Sequence, residues 1–331
     1  MANRGKIEDD PKQFKELIDQ LRSKMIKECK PLPNEPDFFT SEATLIDYLR
    51  ARKYDLHAAF KMLKATVEWR RTYKPLEVDC AWCHKQPGYH CIRQIGHDKT
   101  GRPALYACFA QASTSKNTGE DTIAHCVQML ENTQKTLKGS ATTWVFVFDC
   151  TGMTLPCCNP KLGQQVMHVF ANYYPERLGQ AIIINHAKVF HSIWKGIRKF
   201  LDPVTANKMV LLKKDQISEG LKERFDEDTA KWLEVEIECN REITEEQMRF
   251  WEKPERSSHD PRGSPAYVRE YIATYTPTSA YQPHPNIIDL QTGKLAQKIA
   301  IQKVNHKAEK IDPKEYGIED DQSGSSDIEI F

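Results

Sequence analysis

The chain has 331 residues, and its 47 lysine and arginine side chains balance 46 aspartate and glutamate side chains to a formal net charge of +1. This length allows one large domain, or two modest domains with tails. Because the charges balance, the chain has no overall attraction to a polyanion, and we expect no nucleic-acid partner.

The first residues, MANRGKIEDD, lack the apolar stretch of a secretory leader. The longest apolar runs, WVFVF and AIII, are too short to cross a bilayer. We therefore expect a soluble, cytoplasmic protein. In that reducing compartment the 10 cysteines are expected to be buried apolar side chains rather than disulfide partners.

Helical patterns fill residues 1–75, which we predict to be a small helical domain. The first pattern spans residues 11–30, and its apolar side chains recur at helical spacing. That apolar face consists of Phe14, Leu17, Leu21 and Met25. After the break PLPNEP, Thr40 and Ser41 are predicted caps of a second helix, and a third helix follows.

After about residue 90, short apolar strands alternate with helical patterns. The predicted strands are CIRQI, ALYACFA, TTWVFVFD, AIIIN and KMVLL, and the predicted helices are 120–138 and 161–173. This alternation predicts an α/β domain with a mainly parallel sheet, which we place at residues 76–240. Residues 241–331 are rich in proline and serine, and we predict an extended, partly disordered tail through which a protein partner could bind.

Signatures of catalysis are missing from the sequence. There is no phosphate-binding glycine loop, no Gly-x-Ser-x-Gly and no His-Glu-x-x-His. Asp149 ends a predicted strand, where α/β enzymes often place catalytic groups, but one carboxylate is weak support. An α/β phosphatase would need a nucleophile, and no cysteine is followed six positions later by arginine. We predict no enzyme activity, no catalytic residue and no cofactor.

The segment CAWCH, Cys80 to His84, fits the attachment signature of a c-type haem. It could also form a zinc site with His90 and Cys91, since cysteine and histidine are good zinc ligands. Haem attachment requires export, and the spacing of the zinc set is irregular. We favour a loop or short helix with partly buried thiols and predict no metal.

Residues 188–201 form a strongly two-sided helix when they are placed on a helical wheel. One arc holds Val189, Phe190, Ile193, Trp194, Ile197, Phe200 and Leu201, and the other holds Lys188, Lys195, Arg198 and Lys199. A bulky apolar face opposite a basic face suits a membrane interface. An ordinary surface helix packed on the core has the same pattern, so amphipathicity leaves both interpretations open.

The segment DPVTANK follows this helix directly. Asp202 is a good helix cap and Pro203 a good first residue, so a helical turn would place Thr205 and Lys208 on one face. A hydroxyl and an ammonium group together suit a phosphate-sized anion. A well-capped turn with a solvated lysine is the alternative.

Seven segments occur in the order and spacing of one known family. They are YLRARKYD at 48–55, WRR at 69–71, DKTGRPALY at 98–106, VFVFDCTG at 145–152, NYYPERLG at 172–179, IIIN at 182–185 and KFLDPVTANKM at 199–209. Over about residues 35–240 the chain resembles the CRAL-TRIO family, and especially the yeast-type phosphatidylinositol transfer proteins. The resemblance implies a helical N-terminal part and an α/β part that holds one lipid in an apolar pocket over the sheet.

The resemblance also implies roles for individual residues. Thr205 and Lys208 match the pair that grips the inositol phosphate, Arg52 and Lys53 match a basic pair, and Glu176 matches a glutamate of the head-group site. The helix at 188–201 matches a gate whose side chains would touch the bilayer during lipid exchange. The gate residues predicted to contact the membrane are Phe190, Trp194, Ile197 and Phe200.

The sequence departs from the relatives that also carry phosphatidylcholine. Those relatives offer small hydroxyl residues on the strand where this chain has Trp144 and Phe146. These rings are predicted to line the pocket, which makes phosphatidylcholine doubtful and leaves the second ligand open. We expect a protein that carries phosphatidylinositol or a phosphoinositide and contacts membranes transiently. The alternatives are a carrier of a retinoid, tocopherol or sterol, and a membrane-associated signalling adaptor.

Overall fold

The computed structural model of the chain describes most of the first 242 residues and two short segments beyond them. The described ranges are 7–78, 90–111, 119–153, 160–186, 203–242, 288–289 and 294–295. The segment CAWCH and the predicted gating helix at 188–201 lie outside these residues. The fold can therefore be traced from the N-terminal helices through every predicted strand of the sheet.

Three helices form the N-terminal part of the chain. They are α1 (Pro11–Glu28), α2 (Glu42–Ala51) and α3 (Leu56–Tyr73), followed by a 3₁₀ turn at Pro75–Glu77. Asp10 begins α1, because its carboxylate accepts hydrogen bonds of 3.1 Å from the backbone N–H groups of Lys12 and Gln13. Asp55 begins α3 in the same way, through a 2.8 Å bond from the N–H of Ala58.

The predicted apolar face of α1 packs into the core of this helical part. Leu21 and Met25 are fully buried, and Phe14 and Leu17 are partly buried against the same cluster. The predicted cap of α2 is wrong in detail. Ser41 occupies the cap position but its side chain makes no capping bond, while the Thr40 hydroxyl donates to the carbonyl of Asp37 at 3.2 Å.

The sheet is mainly parallel, as predicted. Its strands are β1 (Arg93–His97), β2 (Pro103–Cys108), β3 (Trp144–Asp149), β4 (Leu178–Ile184) and β5 (Met209–Leu211), in the spatial order β1-β2-β3-β4-β5. Strand β1 pairs with β2 antiparallel, and every later pair is parallel. The buried apolar runs VFVF and III belong to β3 and β4, two of the three interior strands of this sheet, which explains why their sequences do not alternate.

Helices cover both faces of the sheet. They are α4 (Gly119–Gln134), α5 (Pro160–Tyr173), α6 (Pro203–Asn207), α7 (Ile217–Arg224) and α8 (Glu227–Glu242). Val145 and Val147 of β3 belong to one core cluster with Leu221 and Leu233 of α7 and α8. The side chains that alternate with them, Trp144 and Phe146, face α5 on the opposite side, where the Phe146 ring stacks on Phe170.

Helices α7 and α8 were not predicted from the sequence, although the sequence of α8 carries a recognisable signal. Asp226 stands just before α8, and its carboxylate accepts a 2.7 Å bond from the N–H of Thr229. Trp232, Leu233 and Ile237 then recur at helical spacing and are buried. These two helices supply the cover for one whole face of the sheet.

Beyond α8 the structure describes a single antiparallel pair, β6 (Ile288–Asp289) with β7 (Lys294–Leu295). The predicted domain boundaries at residues 75 and 240 stay a prediction. Within the described ranges, no helix has the length and the apolar character that crossing a membrane requires.

Asp149, at the end of β3, is a buried structural carboxylate. It accepts bonds from the Tyr106 hydroxyl at 2.9 Å, from the Thr151 hydroxyl at 2.7 Å and from the Asn185 amide at 2.8 Å. The Tyr106 oxygen in turn accepts a 2.7 Å bond from Asn240 of α8. The carboxylate is fully buried and joins β2, β3, the end of β4 and α8, which accounts for it without catalysis.

Replacement of Tyr106 by phenylalanine tests this network. The change removes the one hydroxyl that both Asp149 and Asn240 contact, so we expect the free energy of unfolding to fall by about 1–3 kcal/mol. Tyr48→Phe is the matched control, because Tyr48 is also buried but its hydroxyl donates over a long 3.4 Å to the carbonyl of Tyr173 and meets Thr66, neither of which is charged. Urea unfolding should show the larger loss for Tyr106→Phe, and equal losses would contradict the assignment.

Candidate functional site

The N-terminal helices join the sheet through a stack of aromatic rings. The Trp69 indole of α3 lies parallel to the Tyr173 ring at the end of α5, with ring centroids 4.1 Å apart and an interplanar angle of 5°. Tyr73 stacks on Trp69 at 5.0 Å, and Tyr174 meets it edge-on at 6.0 Å. Such contacts stabilise a junction beyond the apolar area that they bury.

Next to the stack, Arg70 forms a buried ion-pair network. Its guanidinium holds the Glu131 carboxylate of α4 through bonds of 2.8 and 3.2 Å, and its Nε donates to Glu35 at 2.5 Å. The Tyr174 hydroxyl also donates to Glu131, at 2.7 Å. Despite the burial of Arg70, its two carboxylate partners raise its pKa. Arg70 therefore fixes α3 against the α/β part of the chain.

Arg52 and Lys53 lie in the turn that ends α2. Lys53 and Tyr54 have left-handed backbones, with φ of 52° and 65°. Arg52 is half-buried, and its guanidinium donates to the carbonyl of Ala51 at 3.1 Å. Within the described ranges no carboxylate pairs with Arg52, and burial lowers the pKa of its guanidinium. A bound anion would offset that cost.

Glu176 lies in the turn between α5 and β4. Its backbone is left-handed, with φ of 58°, and its side chain is half-buried. The next residue, Arg177, anchors this turn, because its Nη1 donates to the carbonyl of Thr142 at 2.9 Å and its own carbonyl accepts from the N–H of Trp144 at 2.9 Å. The turn is therefore tied to the start of β3.

Thr205 and Lys208 lie at the short helix α6 and just beyond it. The N–H of Lys208 donates to the carbonyl of Thr205 at 3.1 Å, so the two residues share one turn, as predicted. The carbonyl of Lys208 accepts from the N–H of Ala181 in β4 at 2.9 Å, which fixes the turn to the sheet. Lys208 is half-buried, and in the part of the chain that the structure describes it forms no ion pair.

Asp47 of α2 lies where these segments meet. Its Oδ2 is 3.2 Å from Nη2 of Arg177, and the charges of Glu176, Arg50 and Lys208 also act on it. Burial raises the pKa of the Asp47 carboxyl to about 6, although Arg177 opposes that shift. The charges of Glu176 and Lys208 thus both reach Asp47, and Arg52 and Lys53 follow its helix directly.

A small cavity adjoins Asp47 at the junction. Its volume is about 20 Å³, enough for one water molecule, and its polar lining includes Thr44, Asp47, Arg70 and Arg177. The cavity is too small for a sugar head group. It therefore belongs to the supporting structure beneath the predicted site.

The two predicted pocket residues are deeply buried. Trp144 is 2% exposed and meets Tyr174 edge-on, and Phe146 is 4% exposed and lies parallel to Phe148 with ring centroids 5.3 Å apart. Phe148 itself is only partly buried, among apolar side chains near the carboxyl ends of the strands. Whether Trp144 and Phe146 contact a ligand stays a prediction, as does the gate, which lies outside the described residues.

Two members of the proposed zinc set are visible beside the undescribed segment CAWCH. His90 is buried and stacks on the ring of His125 at 4.4 Å, and Cys91 is buried near Ala107. Among the described residues, no group of three or more histidine, cysteine, aspartate or glutamate side chains is placed to hold a metal ion.

Two family models match the chain. The model of the CRAL/TRIO N-terminal domain matches residues 11–65, and the model of the CRAL/TRIO domain matches residues 88–231. Together these matches include more than half of the chain. The chain belongs to the CRAL-TRIO family. The second match contains the whole five-stranded sheet and the turns that carry Glu176, Thr205 and Lys208.

Individual relatives are similar at modest identity. A CRAL-TRIO domain-containing protein of Schizosaccharomyces pombe is 28% identical over 177 residues, which is 51% of this chain and 40% of that protein. The phosphatidylinositol transfer protein CSR1 of Eremothecium gossypii is 26% identical over 181 residues, 51% of this chain and 42% of that protein. The matched region thus spans less than half the length of both relatives.

A solved structure shares the fold. The crystal structure of Sfh5 matches with a TM-score of 0.52 at 16% sequence identity, covering 63% of this chain and 84% of that chain. At this low identity, the structural similarity shows only that the two proteins share a fold. It supports the arrangement of helices and sheet that positions the CRAL-TRIO turns described above.

Neither the burial of Asp47 nor the ion pair that Arg177 forms with it was predicted from the sequence. A signal was present for Asp47, because it is the single carboxylate in the apolar run from Leu45 to Leu49. A charge inside such a run is buried when its helix packs, and it then needs a partner. The partner, 130 residues further along the chain, could not be chosen from local spacing.

The effect of pH on stability tests the placement of Asp47. Its carboxyl binds a proton more tightly in the fold, at a pKa of about 6, than at the ordinary value of 3.8. Its contribution to the free energy of unfolding is therefore greatest below about pH 4, falls as the pH rises to about 6, and then levels off. The free energy of unfolding of the wild type minus that of Asp47→Asn should therefore fall by on the order of 2 kcal/mol as the pH rises from about 4 to about 6.

Urea unfolding of the two proteins at several pH values measures this difference. Other titrating groups, such as Glu35 with its raised pKa, are present in both proteins and cancel. A difference that rises with pH would show that the Arg177 charge outweighs burial, and Asp47 would then be an ordinary stabilising ion pair.

Proposed function

We propose that this CRAL-TRIO protein binds phosphatidylinositol or a phosphoinositide and carries it between membranes or presents it to lipid-modifying enzymes. The head-group site would consist of Arg52, Lys53, Glu176, Thr205 and Lys208. The observation that carries the proposal is that Arg52 and Lys208 are half-buried cations with no carboxylate partner within the described residues. An anionic head group would supply the missing charge.

The chemistry of the set fits an inositol phosphate. Guanidinium and ammonium groups bind phosphate oxygens through charge-assisted hydrogen bonds, and the Thr205 hydroxyl can add another. The Glu176 carboxylate can accept hydrogen bonds from ring hydroxyls or orient Lys53. The name of the Eremothecium relative, a phosphatidylinositol transfer protein, supports the same ligand.

The acyl chains would lie over the sheet face that carries Trp144 and Phe146. Burial of each CH₂ group contributes about 0.8 kcal/mol, so the chains drive uptake and the head group sets selectivity. The bulky rings leave little room for a choline group, so we expect phosphatidylcholine to be a poor ligand. The helix at 188–201 would act as the gate at the membrane surface.

No bond is made or broken in this function. The protein would act in the cytoplasm and touch membranes transiently during lipid exchange. We further propose that residues 1–75 and 76–240 are the two parts of the lipid carrier, with residues 241–331 as a tail. A partner that binds the tail would direct the carrier without altering lipid binding.

Native mass spectrometry of the purified protein, combined with lipid extraction, tests the ligand. We expect co-purified phosphatidylinositol in the wild type and at least a tenfold loss in Lys208→Ala, since one charge-assisted contact is worth about 1.5–3 kcal/mol. Lys231→Ala is the matched control, because Lys231 is an exposed lysine of α8 on the far side of the sheet from Phe146. The control should retain the lipid.

Other outcomes would replace the proposal. A retinoid, tocopherol or sterol that Lys208→Ala retains would identify a carrier of an uncharged ligand. A bound zinc or haem mass would assign the segment CAWCH to a metal centre. Turnover of a generic phosphoester would indicate an enzyme.

A further inference from the structure

The ion pair between Asp47 and Arg177 links two of the segments that the proposed function uses. Oδ2 of Asp47 is 3.2 Å from Nη2 of Arg177, and the two side chains are only 12% and 14% exposed. Asp47 lies on the helix that ends at Arg52 and Lys53. Arg177 directly follows Glu176. The pair therefore connects the basic turn after α2 with the acidic turn before β4.

The guanidinium of Arg177 is held on two sides. One nitrogen donates to the carbonyl of Thr142 at 2.9 Å, and the other faces Asp47. The backbone carbonyl of Arg177 accepts from Trp144 at 2.9 Å. The adjacent Glu176 has φ of 58°, a conformation that costs free energy for any residue except glycine. The contacts of Arg177 therefore help to hold Glu176 in a strained backbone.

Stability alone does not account for the charge of Asp47. Burial disfavours its ionised form more than Arg177 favours it, which is why the pKa of the carboxyl is raised rather than lowered. A buried charged side chain that lowers the stability of the fold is typical of functional sites. The cost is incurred next to Glu176 and Lys208, whose charges both act on Asp47.

We propose that Asp47 is a positioning residue for the lipid head group, which acts through Arg177 to orient Glu176 and thereby sets selectivity for inositol over choline. This inference rests on the proposed function. Asp47 itself need not touch the lipid. Its role is to fix the acceptor that distinguishes an inositol ring, which offers hydroxyl donors, from a choline group, which offers none.

Selectivity should then depend on pH. The charged and titratable groups around Asp47 are Arg50 and Tyr48 from its own helix, Glu176 and Arg177 from the turn before β4, and Lys208 from the turn before β5. Arg70 of α3 lines the same small cavity and stays charged throughout this range. Below about pH 6 the Asp47 carboxyl gains a proton, and its charge no longer holds Arg177. The phosphate of the lipid stays ionised throughout this range, so the change would come from the protein.

The experiment uses the full chain equilibrated with vesicles that contain equal amounts of phosphatidylinositol and phosphatidylcholine. The protein is separated from the vesicles, and the ratio of the two bound lipids is measured by mass spectrometry between about pH 5 and about pH 7.5. The variants are Asp47→Asn, which removes the charge, and Asp47→Glu, which keeps it. Asp19→Asn, an exposed carboxylate of α1, is the control.

At about pH 7.5 we expect Asp47→Asn to lower the ratio of phosphatidylinositol to phosphatidylcholine about tenfold, mainly through less bound phosphatidylinositol, because Trp144 and Phe146 still disfavour the choline group. The wild-type ratio should fall through about pH 6 until it meets that of Asp47→Asn, whose own ratio should not change with pH. Asp47→Glu should recover part of the selectivity. Asp19→Asn should follow the wild type at every pH.

The experiment distinguishes a failure of the positioning role of Asp47 from a failure of the proposed function. If the wild type binds phosphatidylinositol selectively and Asp47→Asn does so equally, the positioning role is wrong while the proposed function stands. If the wild type shows no preference for phosphatidylinositol at any pH, the proposed function itself is wrong. A third outcome is that Asp47→Asn loses all lipid and has a lowered unfolding midpoint, and that Asp47→Glu recovers neither. That outcome would overturn the inference in favour of a purely structural role.

Discussion

The fold depends first on the buried pairing of Arg70 with Glu131 and Glu35. A guanidinium at this depth is stable only when carboxylates satisfy it, and the partners lie on two parts of the chain far apart in sequence. The pairing therefore specifies a single way to place α3 on the sheet. Because α2 and α3 pack together, it also fixes where the turn after α2 can lie. The parallel stack of Trp69 on Tyr173 removes the remaining freedom of rotation at this junction.

With the junction fixed, the candidate site is assembled from turns rather than from regular elements. Arg52 follows α2, Glu176 precedes β4, and Lys208 precedes β5. Each turn is anchored by backbone hydrogen bonds, such as those of the Arg177 and Lys208 carbonyls. Two of the turns contain left-handed residues other than glycine, which places conformational strain where binding is proposed. The stability of the regular core beneath these turns offsets this strain.

The sequence predicts the strands of the sheet and the helices before them, but it predicts the junction poorly. The continuous apolar runs of β3 and β4 reveal interior parallel strands because both faces of those strands are buried. Local spacing carries no information about pairs such as Arg93 with Glu236, which join β1 to α8 across 143 residues. The left-handed turn after α2 could not be predicted from the sequence, because Lys53 and Tyr54 are not residue types that favour a positive φ. Family resemblance supplied the five head-group residues, but it gave no reason to choose Asp47.

Strand β5 lies at the outer edge of the described sheet and has three residues, Met209–Leu211, each only half-buried. A short edge strand separates from its neighbour at a lower free energy than an interior strand does. Lys208 immediately precedes β5, and its carbonyl bonds to β4 beside that edge. Lys208 is therefore attached to a short edge strand of the described sheet, whereas the turn of Glu176 is tied to the interior strand β3. Fraying of this strand would displace Lys208 and break the contacts that Val210 makes with the core, while the turn of Glu176 stays in place.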